Sequence, residues 1–236
     1  MVGAPSKFPP TDGSILILPG FADFHATYNP DLPWVVFPSR ENPTSIESIS
    51  FAEFADATHR IAHVFRPHRE GSHDGEVVGV VIHCDSILYC ATIVGLVRAG
   101  FIVSRPVCSP LIPADTDAPK PFPISPRNSP EAIESMLEKA NSHFVISQPA
   151  FAPLIVQTRA LLNANYALRV EDLPDLYRIF PALENSLSSV EPYPERSSCP
   201  SMDEICVYLH SSGSTGHPKP VPQTHRQVLE WCTSRT

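Results

Sequence analysis

Residues 77–100 read VVGVVIHCDSILYCATIVGLVRAG, and this stretch decides the fold. Val77 to Ile82 is a β-branched run of strand length, broken only by Gly79. Such a run is the mark of a strand buried on both faces of a parallel sheet. Asp85 then stands where a helix needs an N-cap, and the helix is expected to run to Ala99 with Gly100 as its C-cap. A buried strand feeding directly into a helix is the first half of a βαβ unit.

The same alternation continues on both sides. Upstream, Ile15 to Leu18, Trp34 to Phe37 and Ile49 to Phe51 are short apolar runs expected as strands. Ser50-Phe51-Ala52-Glu53 leads into Phe54, Ala57, Thr58, Ile61, Ala62 and Phe65 at helical spacing, with Pro67 as the stop. Downstream, Ser129 and Pro130 predict an N-cap and first helical position for a helix to about Ala140. Phe144 to Ile146 reads as a strand, about Pro149 to Asn163 as a helix, and Ile205 to Leu209 as a final buried strand. Strands and helices in alternation imply a layered α/β fold built on a parallel sheet. No internal repeat is visible.

Composition narrows the function. With 236 residues, of which 42% are hydrophobic, the chain is long enough to bury a sizeable core. The net charge of -8 provides no basic field for nucleic acid or a membrane surface. Six cysteines (Cys84, Cys90, Cys108, Cys199, Cys206, Cys232) show neither CxxC pairing nor a dense disulfide pattern. No run is long and apolar enough for a membrane span, and no signal-peptide core opens the chain, so a cytoplasmic location is expected. Of the 27 prolines, 13 fall in 103–130 and 174–200, which read as loop or linker.

Chemistry enters after the last strand, at Ser211-Ser212-Gly213-Ser214-Thr215-Gly216-His217-Pro218-Lys219. Glycines permit backbone conformations and close approaches that a Cβ would block, so successive N–H groups can converge on an anion. The hydroxyls of Ser211, Ser212, Ser214 and Thr215 add donors for phosphate oxygens. Lys219 adds a full charge, worth about 4 kcal/mol at 4 Å with an effective dielectric near 20. The spacing is not the G-x-x-x-x-G-K-[ST] of a P-loop, nor the G-x-S-x-G of a hydrolase elbow.

The string YLHSSGSTGHPKPVPQTH (208–225) resembles the phosphate-loop signature of the acyl-adenylate-forming (AMP-dependent synthetase/ligase) superfamily. The likeness extends upstream through GFADFHATYNPDLPWVVFP, HRIAHVF, residues 77–100 and PFPISPRNSPEAI. These look like the N-terminal part of fungal nonribosomal-peptide-synthetase-like adenylation domains and reductases. The resemblance implies a truncated N-terminal domain spanning 12–236, preceded by a disordered tail over 1–11. It also implies that Ser211, Ser212, Gly213, Ser214, Thr215, Gly216 and Lys219 hold the β,γ-phosphates of ATP, with Mg²⁺. In the family a carboxylic acid is activated as acyl-AMP, and a phosphopantetheine carrier domain is the expected acceptor. The family's adenine-binding segment, magnesium-contacting Glu, ribose-binding Asp and catalytic Lys have no counterpart here, so the isolated chain is expected to lack full activity. A non-catalytic nucleotide-binding or interaction remnant, and an inactive truncated gene product, are the alternatives.

Residues 103–120 interrupt the likeness. They are proline-rich and without periodicity, and they fit either an inserted loop or a retained intron, since Val103-Ser104 can be encoded by GTAAGT and Ala114-Asp115 by GCTGAC. Lengthening a loop from about 4 to 22 residues costs only about 1.5 kcal/mol of closure entropy, so the fold tolerates it. His59 and His63, four apart on a predicted helix, have a zinc-compatible spacing without a third ligand, and a structural role is expected. The same is expected of Asp23-Phe24-His25, of Cys84 with Cys90, and of His210 and His225 beside the loop.

Overall fold

The computed structural model describes residues 6–10, 14–15, 17–39, 42, 44–69, 75–104, 128–186, 188–196, 200–211 and 219–233. Eight strands and seven helices are present among them: α1 (Leu18–Tyr28), β1 (Pro33–Pro38), β2 (Ile46–Ser50), α2 (Phe51–Phe65), β3 (Val77–Val80), α3 (Ser86–Arg98), β4 (Ile102–Ser104), α4 (Pro130–Lys139), β5 (Phe144–Ser147), α5 (Ala152–Leu161), β6 (Arg169–Asp172), α6 (Leu176–Ile179), β7 (Ile205–Ser211), β8 (Lys219–Thr224) and α7 (His225–Thr233). The main sheet has the order β6-β5-β3-β4-β7-β8, and β1 with β2 forms a separate antiparallel pair. Strands β3 to β7 run parallel and β8 returns antiparallel against β7. The layered α/β expectation is therefore met.

Side chains sort onto the two faces with period two, as a pleated strand requires. Val78, Val80, Phe144 and Ile146 join the main core with α2 and α3. Val145 joins a second cluster with Ile133, Met136 and Leu137 of α4 and Ile155 of α5. On that second face Gly79 leaves room for α4, because a Cβ there would lie 3.1 Å from Leu137. Phe144 is fully buried, edge-on to Phe65 at 6.3 Å and near Phe101 at 5.7 Å.

The caps follow the sequence closely. Ser50 accepts from the Glu53 N–H while the Glu53 carboxylate takes the Ser50 N–H at 2.7 Å, a reciprocal capping box. Ser129 caps α4 with Pro130 in its first turn. At the end of α3 the cap is Ala99, and Gly100 follows it at φ +86°. The Gly100 and Phe101 N–H groups bond Val97 and Leu96 carbonyls, closing the helix in a Schellman turn.

Several expectations need correction. Of Ile15 to Leu18, expected as a strand, Leu18 instead opens α1 with Pro19 in its first turn, where a missing N–H costs nothing, and Leu16 lies outside the described residues. Phe51 belongs to α2, since Ser50 caps it. The helix expected from Pro149 to Asn163 begins as a 3₁₀ turn over Pro149–Phe151 and is α-helical over Ala152–Leu161. Residues 174–200 are not a plain linker. They contain α6, a 3₁₀ turn at Pro181–Glu184, and an extended strap tied to α2.

Within the tail expected over 1–11, Lys7 exchanges two 2.8 Å hydrogen bonds with the Asn29 side chain. Of the segment 103–120, Val103 and Ser104 lie in β4, paired with β3 and β7, and 105–120 lie outside the described residues.

Candidate phosphate-binding loop at the sheet edge

β7 and β8 form a hairpin whose base sits at the C-terminal edge of the parallel strands. Ser211 ends β7, Lys219 begins β8, and the two are register partners. Two of the seven expected phosphate-binding residues are thus brought together. Ser212, Gly213, Ser214, Thr215 and Gly216 lie outside the described residues. Lys219 is exposed, so its ammonium remains hydrated and available to an incoming anion.

In the sheet order β5 lies on the far side of β3 from β4, whereas β8 lies beside β7 on its outer side, so the Ser211–Lys219 pair stands to one side of the crossover connections.

Buried groups brace β7 from below. His210, only 4% exposed, has its pKa lowered to about 4 by burial, so the ring is neutral at pH 7. Cys206 is buried on the same strand, and burial pushes its thiol up to about 12, which leaves it unreactive. His225 opens α7 with its N–H on the Glu204 carbonyl at 3.0 Å, and burial again lowers its pKa. These positions support packing roles for both histidines.

The other weighed residues turn out to be fasteners. His59 Nδ1 accepts the Tyr193 N–H at 2.9 Å, and His63 Nε2 meets the Glu191 carbonyl oxygen at 2.9 Å. Arg69 donates to the Pro194 and Arg98 carbonyls at 3.0 and 2.9 Å. Together with Arg60, which donates to the Ser188 carbonyl, they hold the strap over 188–196 against α2 and the residues just after it. The strap leads into β7, with Arg196 paired to Glu204 at 2.9 Å. Among the described residues no group of three His, Cys, Asp or Glu side chains is placed to hold a metal ion. Asp23 forms a two-pronged ion pair with Arg98 at 2.6 and 3.0 Å, locking α1 to α3, and His25 stacks on Phe51 at 4.2 Å. Cys84 and Cys90 are both thiols.

Sequence reasoning missed the Asp23–Arg98 lock. Its signal was Arg98 itself, a cation on the otherwise apolar SILYCATIVGLVR helix, which a buried site tolerates only with a partner.

A parallel sheet with helices on both faces, ending in a Ser/Gly hairpin that closes on a lysine, is the N-terminal architecture of an adenylate-forming enzyme. The chain belongs to the AMP-binding enzyme family, whose model matches residues 23–235. It is 39% identical over 230 residues to the adenylate-forming reductase Nps11 of Serpula lacrymans var. lacrymans (strain S7.9), a match covering 96% of this chain. Nps9 of the same fungus is 37% identical, over 97% of this chain. The chain spans 19% of the length of each.

Among solved structures, a Mycobacterium tuberculosis fatty acyl CoA synthetase superposes with a TM-score of 0.61 at 20% identity, over 94% of this chain and 38% of that one. ATP-bound MatB from Rhodopseudomonas palustris gives 0.54 at 18% identity, over 86% and 35%. Both are likenesses of fold.

Proposed function

We propose that this chain is the phosphate-gripping N-terminal part of an enzyme that activates a carboxylic acid with ATP. The carboxylate oxygen bonds to the α-phosphorus, the bond from that phosphorus to the bridging oxygen breaks, and acyl-AMP and pyrophosphate result. The observation that carries the reading is the Ser211–Lys219 pairing. It closes a loop of hydroxyls and glycines at the C-terminal sheet edge, with a lysine at its exit.

Lys219, the loop N–H groups and the hydroxyls of Ser211, Ser212, Ser214 and Thr215 take the β,γ-phosphates, with Gly213 and Gly216 allowing the backbone to close on them. The donor set fits an anion: hydrogen bonds to charged oxygens contribute about 1.5–3 kcal/mol each. It does not by itself fit Mg²⁺, a hard cation that binds carboxylates and phosphate oxygens, so the ion would have to come with the nucleotide. The acyl acceptor is a phosphopantetheine thiol on a carrier domain.

Binding of ATP, pyrophosphate and adenosine to the folded chain tests this reading. If the loop reads phosphates, pyrophosphate competes with ATP and adenosine does not. Competition by adenosine alone would overturn it. Because most of the relatives' length is outside this chain, no carboxylate-dependent ATP–pyrophosphate exchange is expected, and robust exchange would contradict that division of labour.

A further inference from the structure

The strap over 188–196 is fastened by contacts of two opposite kinds. Arg60, His63 and Arg69 meet strap carbonyls, at Ser188, Glu191 and Pro194. A carbonyl only accepts, so the His63 Nε2 carries a proton there, and charging that ring leaves the bond in place. His59, one turn earlier on α2, does the reverse. Its Nδ1 takes the Tyr193 N–H at 2.9 Å. An amide nitrogen only donates, so this Nδ1 must be bare, and the proton of the neutral ring sits on Nε2.

That Nε2 faces the Asp23 carboxylate at 3.8 Å, whose oxygens already receive Arg98 at 2.6 and 3.0 Å. His59 thus stands between a strap amide on one side and an ion pair on the other. The other charged or titratable groups around it are His63 and, in the cleft where α1 and α3 meet the strap, Arg69, Glu195 and Arg196. Tyr193 is only 3% exposed and lies edge-on to the His63 ring at 5.0 Å.

We infer that docking of the strap and protonation of His59 exclude one another, which makes this histidine an acid-released latch on the segment leading into β7. An imidazolium carries hydrogen on both nitrogens, so it can face Asp23 but cannot accept the Tyr193 amide. Burial chiefly, helped by Arg98 and His63 and opposed by Asp23, lowers the pKa of the docked ring from 6.5 to about 4. A released ring regains the ordinary value and binds the proton more readily. Docking therefore weakens as pH falls from about 6.5 toward 4, by up to about tenfold per pH unit. The release is local, because Arg196 has its own tie to Glu204 at 2.9 Å. The latch works whatever the 211–219 loop binds.

Nuclear magnetic resonance of the whole chain provides the test. At pH 7 the His59 ring nitrogens should report a proton on Nε2 alone. Between pH 7 and 4 the protection of the Tyr193 amide against hydrogen exchange, taken relative to an unstructured amide at the same pH, should fall by up to about tenfold per unit. The Phe101 amide, bonded to the Leu96 carbonyl, follows the body of the fold and should lose less. His59→Asn puts a non-titrating oxygen acceptor near the place of Nδ1. It should keep Tyr193 protected at pH 7 and reduce its pH dependence to that of Phe101. His59→Leu, with no acceptor, should leave Tyr193 poorly protected at pH 7. A proton on Nδ1, Tyr193 protection that falls no faster than that of Phe101, or an Asn variant with an unchanged slope would each overturn the latch. Should the Leu variant not fold, the tautomer and the Asn slope still decide.

Discussion

The turn after β3 and the loop after β7 both leave the C-terminal edge of a parallel strand, yet they handle negative charge in opposite ways. After β3 the chain enters α3, whose N-terminus is occupied by its own carboxylate: Asp85 accepts the Ile87 N–H at 2.9 Å. The His83 N–H beside it is taken by Gln148 at 2.7 Å. A helix N-terminus ordinarily attracts anions, but a resident carboxylate satisfies its donors and repels a phosphate. After β7 the chain enters a loop of serines, threonine and glycines without a carboxylate, closed by Lys219. Position on the sheet edge therefore does not make a phosphate site. On the proposed function, what suits the 211–219 loop to a phosphate is a sequence without a carboxylate.

Changes at the two turns, and beneath both, probe that contrast. The largest expected effect comes from Phe144→Ala, which removes a fully buried ring from the core of the sheet that both turns leave. Phe→Ala in a core costs about 3–5 kcal/mol, so denaturant unfolding should show a loss of that size with no preference for either turn. Lys219→Ala should act on ligand alone. It should weaken ATP binding by about 1.5–3 kcal/mol, roughly tenfold to more than a hundredfold, while the thermal midpoint without ligand stays unchanged. Asp85→Ala should do the reverse. It removes an N-cap and should cost about 0.5–2 kcal/mol of stability by chemical denaturation, leaving ATP affinity of the folded chain intact.

The smallest effect is a slope in pH. His210 beneath the loop and His59 under the strap both have pKa values lowered to about 4 from 6.5, mainly by burial. Between those values the unfolded chain binds protons that the folded chain refuses, so stability falls as pH drops from about 6.5 toward 4. His210→Gln should flatten part of that slope in unfolding measured across pH, and an unaltered slope would remove His210 from the account.

How much was legible in the sequence follows from what each region depends on. β3, α3, α4 and β5 were readable because local signals agreed: apolar strand runs, Asp85 and Ser129 as caps, Pro130 and Gly100 at the ends. α1 was misread at its start because Ile15 and Leu18 lie in an apolar run, while Pro19 and the packing onto α2 and α3 set the helix. β6 (Arg169–Asp172) was invisible, since three of its four residues are charged and only pairing with β5 makes it a strand. β8 was hidden by its two prolines, which an edge strand tolerates and a central one does not. The loop itself was legible because its chemistry is written in consecutive residues. The strap contacts of His59 and His63, more than 120 positions away in sequence, were not.

Titrating ATP and AMP calorimetrically into the chain, its Lys219→Ala variant and its Asp85→Ala variant separates charge chemistry from sheet position as the source of the proposed phosphate grip. Lys219→Ala should weaken ATP far more than AMP, and Asp85→Ala should change neither. Equal ATP affinity in the folded parent and Lys219→Ala proteins would contradict a grip based on charge.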